Sequence, residues 1–150
     1  MEENREKSIV NKVVVVTGGS RGIGAQIVKT LANENYKVIL NYNNSKEQAE
    51  KIQQELLEQG KEIEIIKADV SKREETEKLI QFAINKFNKI DVLINNAGIS
   101  QEGLFTDVTE EEWQKIINTN LNSVFYCNQQ ALKYMIQEQQ GCIINISSIW

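Results

Sequence analysis

Three clusters of residues have the types and spacing to do chemistry. Thr17-Gly-Gly-Ser-Arg-Gly-Ile-Gly24 follows a run of four valines. Glycines at such a turn permit positive φ and let the backbone come close to a phosphate, while the N-terminus of a following helix offers unpaired N–H groups and partial positive charge. The alternative for this segment is a glycine-rich turn with no ligand. Its spacing, Gly18-x-x-x-Gly22-x-Gly24, is neither the G-x-G-x-x-G fingerprint nor a P-loop ending in Lys-Ser/Thr. Asn95-Asn-Ala-Gly98 and Asn145-Ile-Ser-Ser148 are the other two clusters, each closing an apolar run. The chain contains no histidine. Ser-His-Asp and Cys-His catalysis, histidine metal sites and histidine pH switches are therefore excluded within these residues. Cys127 and Cys142 lack C-x-x-C spacing and read as two reduced thiols of a cytoplasmic protein.

These clusters need elements to hold them, and the pattern of the chain supplies candidates. Val13–Thr17, Tyr36–Tyr42, Glu62–Ala68, Ile90–Asn95 and Cys142–Ile146 are short β-branched or apolar runs and predict strands. Helical spacing separates them. Ile23, Ile27, Leu31 and Ala32 share one face; Ile52 and Leu56 share another; Leu79, Phe82, Ala83 and Phe87 a third. Leu121, Val124, Phe125, Asn128, Ala131 or Leu132, and Met135 continue a helical face toward Gly141. Ser45-x-x-Gln48, Ser71-x-x-Glu74 and Thr109-x-x-Glu112 fit capping boxes, and Gly60 fits the position just past a helix end. Five strands alternating with helices, joined by connections mostly too long for hairpins, predict right-handed βαβ units. The result is a doubly wound α/β domain, a parallel sheet with helices on both faces. Ligands of such folds bind at the carboxyl ends of the strands, so function is expected in the loops after Thr17, Asn41, Lys67, Asn95 and Ile146.

The 150 residues are 41% hydrophobic and 25% charged with a formal charge of −4, ordinary for a globular domain and without the basic footprint of a nucleic-acid binder. Lysine and arginine are dispersed, with no basic patch. No apolar run approaches the ~18 residues that span a bilayer, and Met1–Asn11 is a polar extension without the apolar core of a signal peptide. Residues 12–150 are read as one domain.

Taken together, the glycine turn, Asp69-Val70 after the third strand, Asn95-Asn-Ala-Gly98, Asn120 within Asn118-Thr-Asn-Leu121, and Asn145-Ile-Ser-Ser148 resemble the classical short-chain dehydrogenase/reductase family. The wording Thr-Gly-Gly-Ser-Arg-Gly-Ile-Gly is most similar to its 3-oxoacyl-[acyl-carrier-protein] reductase branch. The resemblance implies a Rossmann-type sheet, a dinucleotide cofactor and a ketone substrate, small or linked to acyl carrier protein. It also implies a homotetramer or homodimer, with no nucleic-acid or membrane partner.

Cofactor contacts implied by the resemblance are Gly18, Gly19, Ser20, Arg21, Gly22, Ile23, Gly24, Asn43, Asp69, Val70, Asn96, Ala97 and Gly98. For Asp69 the alternative is a cap of the following turn, for Asn96 a tie across the sheet, for Arg21 a solvated loop cation. Leu40-Asn-Tyr-Asn-Asn44, at the end of the second strand, carries no carboxylate to bond a ribose 2′-hydroxyl or repel a 2′-phosphate. Arg21 can pair with that phosphate, so NADP(H) is the expected cofactor.

Ser148 aligns with the serine that binds the substrate carbonyl. Asn120 aligns with the asparagine that holds a water; its alternative is a polar residue distorting a helix. The family's Tyr-x-x-x-Lys pair does not follow Ser148. Tyr42-x-x-x-Lys46 fits by coincidence, and Tyr126 and Tyr134 have Gln130 and Glu138 four residues on. The later strands of the family are missing too. The chain therefore reads as an incomplete member, with its fifth strand left as an apolar edge. The alternative function is a truncated, non-catalytic dinucleotide-binding paralogue or fragment.

Overall fold

Val13–Val16 (β1) is four β-branched residues in a row, and in the computed structural model, which describes residues 11–148, all four are fully buried. A strand buried on both faces has no use for alternation, which is why the run is uniform. Gly22–Asn33 (α1), Lys37–Tyr42 (β2), Lys46–Glu58 (α2), Ile63–Lys67 (β3), Arg73–Phe87 (α3) and Val92–Asn95 (β4) follow. Beyond a short 3-10 turn come Glu110–Ile117 (α4), a π-helical turn at Asn118–Asn122, Ser123–Gln137 (α5) and Cys142–Asn145 (β5). The strands form one sheet in the order β3-β2-β1-β4-β5, every neighbouring pair parallel. This is the doubly wound architecture expected from the sequence, with its reversal of strand order between β1 and β4.

Period-two side-chain placement splits the core into two layers. Val14, Val16, Val38, Leu40 and Ile94 pack with Val28, Ala32, Ala49, Ile52 and Leu56 of α1 and α2. Val15, Ile39 and Leu93 pack with Leu79, Ile80 and Ala83 of α3 and Cys127, Ala131 and Met135 of α5. Each fully buried valine, leucine or isoleucine contributes about 1.5–3 kcal/mol of transfer free energy. The layers thus hold the carboxyl edge of the sheet rigidly beneath the loops.

Two expectations about helix faces are corrected. Ile23 was placed on the core face of α1 but is 67% exposed; the buried positions are Gly24, Val28 and Ala32, and Ile23 stands at the helix mouth. Of the face expected toward Gly141, Ala131 and Met135 are buried as read, but the large residues Leu121, Phe125 and Leu132 are not. Leu121 and Phe125 are 61% and 53% exposed and Leu132 is exposed, while Ser123, Cys127, Gln130, Ala131 and Met135 face inward. Close approach of a helix to the sheet favours that smaller stripe.

Of the capping boxes, only Thr109–Glu112 forms, with Thr109 Oγ1 accepting from the Glu112 N–H at 3.2 Å and Glu112 Oε2 from the Thr109 N–H at 2.9 Å. Ser45 precedes α2 without a side-chain cap bond. Before α3 the cap is Lys72, because Asp69 captures the Ser71 hydroxyl at 2.6 Å. The other end of α2 behaves as read: Gly60 has φ +73°, and its N–H and that of Lys61 donate to Leu57 O and Leu56 O, a Schellman closure.

Candidate nucleotide-binding cleft

The loop after β1 is held from two sides. Gly18 adopts φ +63°, where a side chain would be strained, and a Cβ there would lie 2.9 Å from Ala97 Cα. From the β2 side, Asn41 Oδ1 accepts from the Gly18 N–H at 3.3 Å and Asn41 O from the Gly19 N–H at 2.8 Å. From the β4 side, Thr17 Oγ1 accepts from the N–H groups of Asn96 and Ala97 at 3.0 Å each. Asn96 Nδ2 returns the bond, donating to Thr17 O at 3.0 Å and Gly18 O at 3.1 Å. So the glycine turn and the Asn95-Asn-Ala-Gly98 turn, far apart in sequence, are stitched together at the point where strand order reverses.

Asn41 extends the clamp in the other direction. It is buried, and its Nδ2 donates to Ala68 O at 2.9 Å, with longer contacts to Tyr42 O and Ile66 O. This ties β2 to the loop after β3. There Asp69 Oδ1 accepts from both the N–H and the hydroxyl of Ser71, so Asp69 does cap its own turn. Its N–H donates to Glu75 Oε2 at 2.7 Å; that bond, aided by Lys72, holds the Glu75 carboxyl below the usual carboxylate range.

Between these loops lies a cleft of about 700 Å³. The loops after β1, β2, β3 and β4 all border it, as expected for this topology. Every cofactor residue expected from the sequence borders it except Gly19. Gly19 instead packs beneath, where a Cβ would stand 3.0 Å from both Leu40 and Val28 side chains. The space over Gly22 is open, with nothing within 4 Å of a Cβ built on it and φ at +51°. Backbone left bare at a helix N-terminus beside an open cleft fits a diphosphate.

Asn120 lies in the π-helical turn, and its side chain is committed: Oδ1 accepts from the Ile99 N–H at 2.9 Å and Nδ2 donates to Ile99 O at 2.8 Å. Both the helix distortion and a positioning role are therefore present in one residue. Gly98 sits against it, with a Cβ position 3.5 Å from Asn120 Oδ1. Ser148 follows β5 and is exposed; it does not border the cleft. Beneath it, Asn95 Nδ2 donates to Asn145 Oδ1 and Asn128 Oδ1 at 2.8 Å each, joining β4, β5 and α5.

The fold and the sequence coincide with a known group of proteins. The family model described as "short chain dehydrogenase" matches residues 12–150. The chain belongs to the short-chain dehydrogenase family. Among its relatives is the 3-oxoacyl-[acyl-carrier-protein] reductase FabG of Staphylococcus epidermidis, 42% identical over 140 residues, 93% of this chain and 57% of that protein. The Staphylococcus aureus FabG is 41% identical over the same span, and a 3-oxoacyl-[acyl-carrier-protein] reductase of Synechocystis sp. is 38% identical over 142 residues. The chain thus spans 57–58% of the length of these curated relatives. Two solved short-chain dehydrogenase structures superpose closely. A metagenomic short-chain oxidoreductase in complex with NADP gives a TM-score of 0.89 at 31% identity, covering 95% of this chain and 65% of that one. A double mutant of the Serratia marcescens enzyme gives 0.87 at 33% identity, covering 94% and 57%.

Several members of the site were not singled out in the sequence. Thr17 looked like the last strand residue and Asn41 like a merely neutral one, yet both anchor the loops. Ser71 was read as a helix cap and Glu75 was not singled out, yet both fix Asp69. Lys115 and Thr119, which also border the cleft, arrive from α4 and the π-helical turn, 16 and 20 residues beyond Ile99, the nearest other wall residue along the chain. No local pattern marks such residues; only the crossover of the chain brings them in.

Proposed function

We propose that this chain forms the NADP(H) site of a reductase that converts a ketone to an alcohol, with 3-oxoacyl thioesters as the substrate class. The observation that carries the cofactor reading is the end of β2. Asn41 is spent on four backbone groups, three of them carbonyls that a carboxylate could not satisfy. Asn43 and Asn44 beside it are neutral, and Arg21 borders the same cleft. A 2′-phosphate would meet a guanidinium and amides there rather than a carboxylate. The NADP complex of the metagenomic relative agrees with this reading.

Gly18, Ser20, Gly22, Ile23 and Gly24 would hold the diphosphate, Asp69 and Val70 the adenine, and Asn96, Ala97 and Gly98 the ribose and nicotinamide. When bound, the nicotinamide supplies the hydride for the carbonyl carbon. Ser148 donates its hydroxyl hydrogen to the carbonyl oxygen, and the proton for that oxygen is assigned to the tyrosine of the family's Tyr-x-x-x-Lys motif. Because its amide is spent on Ile99, Asn120 acts by holding the loop after Gly98, and a water beside it would be held by main-chain groups of the π turn. The exposed Leu121 of the π-helical turn and Phe125, Leu132 and Ile136 of α5 fit pairing between copies of a cytoplasmic homo-oligomer.

A dinucleotide-binding unit without turnover is the second reading, favoured by the lining of the cleft among the described residues, which runs from Gly18 to Thr119 without Ser148. One experiment separates the two. NADPH fluorescence titration should show binding, and acetoacetyl thioester should then be reduced under the first reading and untouched under the second. Arg21→Ala should weaken NADPH about 10- to 100-fold, the equivalent of one charge-assisted hydrogen bond, and leave NADH nearly unchanged. Equal losses for both dinucleotides refute the 2′-phosphate assignment.

A further inference from the structure

The glycine loop is not the only source of positive charge in the cleft. Lys115, on α4, borders it together with Thr119 one helical turn later. Like Arg21, it is absent from the ion pairs of the described residues. Its surroundings are otherwise acidic. Glu110 and Glu111 line a hollow of about 520 Å³ that opens beside the cleft and shares Ser71, Lys115 and Thr119 with it. Glu112, one turn before Lys115, is held below the usual carboxylate range by the Thr109 N–H first, with Lys115 among the lesser causes. Across the cleft floor, the Asp69 carboxylate lies 3.7 Å from Lys72 Nζ.

Without Lys115, α4 would carry Glu110, Glu111 and Glu112 beside an anionic ligand and no cation of its own. A dinucleotide carries a diphosphate whatever its ribose bears. We propose that Lys115 is a second cationic contact of the cleft, offsetting those three carboxylates and attracting the dinucleotide from the α4 wall; this rests on the dinucleotide reading above. It divides labour with Arg21. Arg21 distinguishes NADPH from NADH, whereas Lys115 acts on both through the charge they share.

Salt dependence gives the test its force, because an exposed charge acts over a Debye length of about 30 Å at 0.01 M and about 3 Å at 1 M. NADPH and NADH are titrated against the 150-residue chain and its Lys115→Gln, Lys115→Glu and Lys115→Arg variants at both ionic strengths. At 0.01 M, Lys115→Gln should weaken both dinucleotides by a similar factor of about three, Lys115→Glu by about ten, and Lys115→Arg by little. At 1 M the curves should converge. Melting temperatures without ligand should agree across the set, since the side chain is exposed. Unchanged affinity in Lys115→Gln at low salt overturns the proposal, as does a loss that persists at 1 M or one confined to NADPH. Failure of the unaltered chain to bind either dinucleotide overturns the cleft reading itself, and this one with it.

Discussion

Gly24→Ala sets two general rules against each other. Gly24 lies inside α1, where alanine normally exceeds glycine in helix propensity by about 1 kcal/mol, so an exposed site would gain stability. Here the added Cβ would collide with Gly18 O and with Asn96 Nδ2. The first is backbone and cannot swing aside. The second is the amide that donates to Thr17 O and Gly18 O, so relieving the clash breaks two hydrogen bonds of about 1 kcal/mol each. Overpacking adds about 1–3 kcal/mol. The clash should outweigh propensity, leaving a net loss of about 2–4 kcal/mol. Urea unfolding followed by circular dichroism reads this as a midpoint lowered by roughly 1 M at unchanged m.

Gly22→Ala is the comparison. Its Cβ meets nothing within 4 Å, and only its φ of +51° is strained, at about 1 kcal/mol. Because Gly22 borders the cleft, this variant should lose more in NADPH affinity than in stability. A Gly24→Ala midpoint equal to or above that of the unaltered chain would refute the claim that Asn96 locks the glycine loop to β4.

Two further outcomes test the packing around the site. The Asp69 N–H and Lys72 hold the Glu75 carboxyl below its ordinary value, so its contribution to stability is present above the unfolded carboxylate pKa of about 4.3 and is lost as pH falls through the lowered folded value. Glu75→Gln should therefore melt below the unaltered chain at pH 7, by the equivalent of about 1 kcal/mol or less, and converge with it only once the pH lies below the lowered folded value; a gap that persists at still lower pH contradicts the assignment. Burial between α3 and α5 pushes the Cys127 thiol up to about 12, while Cys142 is exposed. A maleimide should modify one thiol in the native chain, none in Cys142→Ser, and two after unfolding; fast labelling of Cys127 in the native state would show that α5 does not seat on the sheet as described.

Much of the architecture was legible because it depends on local periodicity. Val13–Val16 is apolar at every position because a central parallel strand is covered twice, and Ile52 and Leu56 repeat because α2 is covered once. Such patterns survive in one dimension. The strands were read one or two residues too long at several ends, and Thr17 shows why. Its β propensity suits a strand, but its hydroxyl is taken by two N–H groups from the loop after β4. Ser71 fails as a cap for the same kind of reason: Asp69 competes for its hydroxyl. On α5 the larger apolar residues were read as the core face, yet hydrophobicity does not say which partner lies opposite, and the sheet takes the smaller stripe.

The sequence by itself determined that there is a glycine turn between a buried strand and a helix, a neutral segment after β2, and asparagine- and serine-rich turns after β4 and β5. It also determined the elements that carry them, since each follows from residue type and spacing within one turn or one strand. Only the tertiary structure decided that Asn41 bridges three strands' loops, that Asn96 closes over Gly18, and that α4 brings Lys115 to the cleft. Those contacts join residues up to about eighty positions apart. They are set by the parallel crossovers and the packing of two hydrophobic layers, which no window of sequence contains.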